Sequence, residues 1–163
     1  MNIKFKNRFL YLDKYKIKCA IGKRGITSNK KEGDYRTPRG SFILNSIFYR
    51  KDRVGKIKTK LKKVIIKQNM GWCDDATSKQ YNKLIRFPFN YSAERLWLKA
   101  NIYDVIIIIN YNLKPIRKNK GSAIFIHIAR KNYKSTKGCI AINKREIKFL
   151  INKINNKTKL IID

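Results

Sequence analysis

Residues 124–142 read IFIHIARKNYKSTKGCIAI, and they hold the only histidine of the chain, His127, and the last of its three cysteines, Cys139. The apolar, largely β-branched run 123–128 predicts a strand that places the imidazole near its end. A polar loop follows, with eleven residues between His127 and Cys139. Just beyond the cysteine, Asn143 and Glu146 have the spacing of a capping box. Ile147, Leu150, Ile151 and Ile154 then repeat at helical period, which predicts one main helix.

Working outward, strands dominate. Ile3 and Phe5, Phe9 and Tyr11, and Ile17, Cys19 and Ile21 alternate at period two, the pattern of half-buried strands. A turn-rich stretch from Gly22 to Gly40 ends in EGDYRTPRGSF, where Gly33-Asp34 favours a tight turn and Pro38 fixes φ. A strand over 41–49 follows, then an irregular stretch over 69–83. Stiff runs over 103–110 and 123–128 predict two more strands, and KLIID closes the chain as a last one. No repeat, low-complexity linker or composition break divides the sequence. The expectation is one mostly β domain over residues 1–163, β-rich with one main helix.

Hydrophobic residues make up 43% of the chain and aromatics 12%, enough to build a core despite a formal net charge of +30. That charge suits polyanions such as nucleic acid or acidic envelope polymers. It equally fits A/T-rich coding, because Lys, Ile and Asn dominate the composition and the lysines are scattered among apolar residues. No run approaches the ~20 apolar residues of a membrane span. No signal peptide is visible at the N-terminus. The three cysteines and single histidine form no common zinc spacing, so neither a metal nor a cofactor is expected.

A cysteine becomes a nucleophile when a base or positive surroundings raise its thiolate fraction. Gly138 clears bulk beside the sulfur and lets backbone N–H groups approach a developing oxyanion. Lys131, Lys134 and Lys137 place positive charge nearby, and His127 can return to the sulfur across the loop. Set against this, a lone cysteine is more often a small buried hydrophobe, and a histidine at a strand end is often structural. Cys19 lies in an alternating strand, and Cys73 has Asp74 and Asp75 beside it, which oppose a thiolate.

The stretch from His127 to STKGCIAI resembles the active-site signature of the YkuD-type L,D-transpeptidases, bacterial cysteine enzymes that cross-link peptidoglycan. KKEGDYRTPRGSF (30–42), GWCDD (71–75), YNK (81–83), YDVIIIINYN (103–112) and GSAIFIHIA (121–129) occur in the order found in one branch of that family. The resemblance implies a YkuD-like β-sandwich, with Cys139 as nucleophile and His127 as general base. It further implies an imidazole oriented by a backbone carbonyl near Ile128 rather than by an acid. Cell-wall organisation, cell shape and an envelope or periplasmic location follow from the family. Lys137 stands where the familiar pattern has a second histidine, and Ala141 where it has Arg or Asn. The His–Cys loop is also shorter than in better-known members. These departures bear on acceptor choice and cross-link type.

Several further residues are candidates for support and recognition. Gly138, Thr136 and Ser135 are expected to shape the oxyanion loop through backbone hydrogen bonds. Arg130 is a candidate for binding a stem-peptide carboxylate, and Trp72 and Tyr133 for walling the cleft. RTPRG (36–40) is read as structural. Two other functions compete with the transferase. The same Cys/His pair serves a wall-peptide hydrolase, L,D-carboxypeptidase or amidase if water is the acceptor. The charge alone would serve a basic nucleic-acid-binding domain, although no recognised binding motif is present.

Overall fold

The alternation at the start of the chain folds into a meander of three strands, β1 (Asn2–Lys6), β2 (Phe9–Leu12) and β3 (Tyr15–Ala20), in a computed structural model that describes residues 1–163. Asn7 and Arg8 have positive φ and form the two-residue loop between β1 and β2, as right-twisted hairpins require. Ile3 and Phe5 point into the core while Asn2, Lys4 and Lys6 face solvent, so part of the lysine excess is a solvated strand face. The short pair β4 (Ile26–Thr27) and β5 (Thr37–Pro38) lies within the turn-rich stretch, followed by the long β6 (Gly40–Tyr49) and the single-turn helix α1 (Lys51–Val54). β7 (Lys62–Ile65), β8 (Met70–Cys73), β9 (Leu84–Arg86) and β10 (Ala93–Arg95) come next. The chain ends with β11 (Val105–Ile109), β12 (Phe125–Ile128), β13 (Ile140–Ile142), helix α2 (Lys144–Lys153) and β14 (Lys159–Ile162).

Nine strands join in the order β11-β12-β13-β3-β2-β1-β14-β6-β7, and β11 also pairs with β6. That extra pairing closes the sheet into a circuit. Two long strands make it possible. β3 pairs with β2 through Tyr15–Lys18 and with β13 through Cys19 and Ala20. β6 pairs with β14 through Gly40–Ile43 and with β11 through Leu44–Tyr49. The β-rich architecture expected from the sequence is therefore present, as two layers continuous through shared strands.

β11 is buried along its whole length, as its unbroken apolar run requires of a strand flanked by β6 and β12. It begins at Val105 rather than at Tyr103, because Asn101–Tyr103 forms a 3-10 turn. The stretch 69–83, expected to be irregular, contains β8, the centre of a small sheet ordered β10-β8-β9. Helix α2 is capped as predicted: Arg145 N–H donates to Asn143 Oδ1 at 2.8 Å, and Asn143 N–H donates to Glu146 Oε2 at 3.3 Å. Its Ile147, Leu150 and Ile151 join the main core. A second, smaller core beneath the three-stranded sheet contains Trp72, Tyr103, Phe125 and Cys139. No helix is long and apolar enough to cross a membrane.

Candidate active site

β12 and β13 run parallel and side by side, with His127 opposite Ala141. A parallel pair cannot be joined by a tight turn, so the connection swings out through residues 129–139 and returns with Cys139 at the entrance to β13. This places the imidazole and the thiol in one wall of a cleft of about 710 Å³, a size that accepts a peptide-sized ligand. The loop is stitched to the end of β3, since Thr136 N–H donates to Ile21 O at 2.9 Å and Lys23 N–H to Thr136 O at 3.0 Å.

His127 is 6% exposed, and its Nδ1 lies 2.9 Å from Ile128 O. Two acceptors at that distance would repel, so Nδ1 carries the proton and Nε2 is left with a free lone pair. The Tyr103 ring stands perpendicular to the imidazole at 5.3 Å, and its hydroxyl donates to Glu94 Oε1 at 2.6 Å. Burial lowers His127 to about 4, aided by the charge of Arg130 and opposed by the Ile128 carbonyl.

The Cys139 thiol donates to Ala123 O at 3.0 Å, and its sulfur accepts from Phe125 N–H at 3.3 Å. Burial pushes it up to about 12, and the negative charge of Glu94 adds to the rise. Phe125 N–H and Lys30 act in the other direction. The loop lysines 131, 134 and 137, expected to favour a thiolate, are thus corrected by the structure. The cation that acts is Lys30, buried and bonded to Asp34 at 2.6 Å, and desolvation outweighs it. The resting pair is neutral thiol and neutral imidazole.

A family model for the L,D-transpeptidase catalytic domain, YkuD, matches residues 6–162. The chain belongs to the YkuD family. No curated protein and no solved structure matches it. YkuD domains are cysteine-dependent L,D-transpeptidases, so the family class is that of an enzyme acting on peptidoglycan.

Of the residues singled out from the sequence, Cys139, His127, Gly138, Thr136, Ser135 and Arg130 all line this one cleft of the YkuD domain. Thr136 supplies the loop hydrogen bonds expected of both hydroxyls: its Oγ1 donates to Cys139 O at 2.6 Å and accepts from Gly138 N–H at 3.1 Å. Trp72 and Tyr133 are corrections. Trp72 is buried in the second core, with Nε1–H donating to Asn82 Oδ1 at 2.9 Å, because its ring is too large and apolar to leave beside water. Tyr133 lies outside the cleft with Lys18 Nζ 5.0 Å from its ring centroid. Sequence reasoning missed Lys30, Asp74, Glu94 and Tyr103, which line the cleft from segments far from the cysteine. For Asp74 and Glu94 the signal that could have found them is the scarcity of acids, ten against forty basic residues. No three His, Cys, Asp or Glu side chains converge on a metal-sized site.

The depressed histidine has a measurable consequence. Its unfolded value is near 6.5, so the unfolded chain takes up the proton first. The imidazole's contribution to stability is complete above about pH 6.5 and is lost as pH falls towards about 4. The melting temperature should therefore drop across that window more in the wild type than in His127→Gln. A parallel pH dependence in the two proteins would mean that the imidazole is not buried neutral.

Proposed function

We propose that the protein is a peptidoglycan L,D-transpeptidase working as a single catalytic domain in the cell envelope, with Cys139 as nucleophile and His127 as its acid and base. The observation that carries this reading is the anchoring of Nδ1 at Ile128 O, which leaves Nε2 as a base within the cleft that Cys139, alone of the three cysteines, lines. The carbonyl attacked follows the L-centre of a diamino acid residue in a stem peptide. As the substrate carbonyl displaces water, the thiol proton passes to Nε2 and Sγ adds to the carbonyl carbon. The carbonyl π pair moves to oxygen. Collapse expels the terminal D-amino acid, whose nitrogen takes the proton from His127, and leaves a thioester. An amine of a neighbouring stem then attacks, His127 takes its proton, and the thiol is regenerated.

The cleft wall supports a polar peptide substrate. Asp74 Oδ1 and Ser122 Oγ are buried there without hydrogen-bond partners, and such acceptors are costly unless a ligand satisfies them. Arg130 and Lys137 offer cations to a carboxylate on the same wall. The test is intact mass of the protein after incubation with a disaccharide-tetrapeptide, alone and with an amine acceptor. A thioester adduct with loss of the terminal D-amino acid, followed by dimeric muropeptide, is expected. Release of the disaccharide-tripeptide in its place would assign water as the acceptor and make the protein a carboxypeptidase.

The surface charge extends the reading to acidic envelope polymers as partners. Binding to isolated sacculi should weaken steeply as salt rises and should survive Cys139→Ala. Binding indifferent to salt would assign the charge to coding composition.

A further inference from the structure

We propose that Thr37 is a positioning residue that aims the backbone N–H of Cys139 at the carbonyl oxygen under attack, an inference that rests on the acyl-transfer reading above. Thr37 is fully buried in β5, 101 residues in sequence from its partner across the loop. Its Oγ1 accepts from Gly22 N–H at 2.9 Å and donates to Gly138 O at 2.8 Å. A hydroxyl has one proton, so accepting from Gly22 directs that proton to Gly138.

The clamp acts on the peptide that joins Gly138 to Cys139. This peptide is trans, and a planar trans amide points its N–H opposite to its C=O. Holding the carbonyl against Thr37 therefore fixes the direction of Cys139 N–H. That N–H donates to no atom of the protein, whereas Gly138 N–H is taken by Thr136 Oγ1. Cys139 N–H is thus the free backbone donor beside the sulfur.

Gly138 makes the clamp necessary. Its φ of +145 is open to glycine, and a side chain there would meet Arg36 O at 2.8 Å. The close approach of the 36–37 backbone demands glycine, and glycine lets the following peptide rotate. Thr37 removes that freedom. The segment RTPRG, read from the sequence as structural, thereby reaches the chemistry through one hydroxyl.

Two reactions of the same thiol separate positioning from reactivity. Acetylation by 4-nitrophenyl acetate forms an Sγ–C bond at a carbonyl, passes through an oxyanion and expels 4-nitrophenolate. Alkylation by iodoacetamide forms an Sγ–C bond at a saturated carbon as iodide leaves, with no oxyanion. Thr37→Val, nearly isosteric, should slow acetylation of Cys139 by about 10- to 100-fold, since a misaimed donor loses much of what an oxyanion-hole donor supplies. It should leave alkylation unchanged. Thr37→Ser, which keeps Oγ1 and drops only the methyl, should restore most of the acetylation rate. Equal slowing of both reactions, no slowing of either, or a serine variant as slow as the valine one would overturn the proposal. Neither reagent is a stem peptide, so a wild-type protein that fails to turn over tetrapeptide counts against the transferase reading alone and leaves the ratio of the two rates intact.

Discussion

His127→Gln should fold and lose about 10²- to 10⁴-fold in tetrapeptide turnover, because one side chain serves as base in the first half of the reaction and acid in its collapse. The loss should sit in kcat. Glutamine keeps an N–H able to reach Ile128 O, so the ring's anchoring is partly reproduced while its proton transfer is not. Cys139→Ser should cost at least as much. An alcohol is a far weaker nucleophile than a thiol near neutral pH, and desolvation already holds even the thiol neutral at this position. The double variant should be little worse than either single one, as groups acting as a unit are strongly non-additive. Turnover of a tetrapeptide donor, with circular dichroism as the folding control, measures all three. Normal turnover by His127→Gln would make the imidazole structural and remove the mechanism.

Trp72→Ala should act on stability. The indole packs edge-to-face on Phe125 at 5.2 Å and on Phe48 at 6.1 Å, and it is 6% exposed. Its removal opens a cavity under the strand that carries His127 and strands Asn82 Oδ1 from one of its two donors, the other being Ala123 N–H at 3.1 Å. Truncating a buried tryptophan costs roughly 3–5 kcal/mol, a fall in melting temperature of about 10 °C for a chain of this size. KM at a temperature where the variant stays folded should be nearly unchanged. A raised KM with an unaltered melting curve would return Trp72 to the cleft wall.

The two variants mark the line between what the sequence revealed and what it hid. His127 and Cys139 were legible because rarity and local pattern coincide: a lone imidazole at the end of an apolar run, a Gly-Cys pair, and a capped helix behind it. The capping box and the alternation of the first three strands were legible for the same reason, since each depends on neighbours within a few residues. Trp72 was not, because a tryptophan beside two aspartates looks the same whether its ring faces a cleft or a core. Lys30, Glu94 and Thr37 were hidden by distance. Lys30 and Glu94 act on the thiol, and Thr37 on the peptide before it, from across the fold, and no local period marks a residue whose partner lies so far along the chain. The same limit explains the loop lysines. Nearness in sequence to Cys139 suggested an electric effect that burial, a property of the assembled cleft, reverses.

Closure of the strand circuit also bears on synthesis. β14 lies between β1, with which it runs parallel, and β6. The last strand of the sheet to leave the ribosome is thus the one that joins the first strand to the middle of the chain. Long-range pairings of this kind form slowly, and here they cannot form at all until translation has passed Ile162. Pairing of β14 with both neighbours is therefore the event that completes the circuit whose strands carry the cleft.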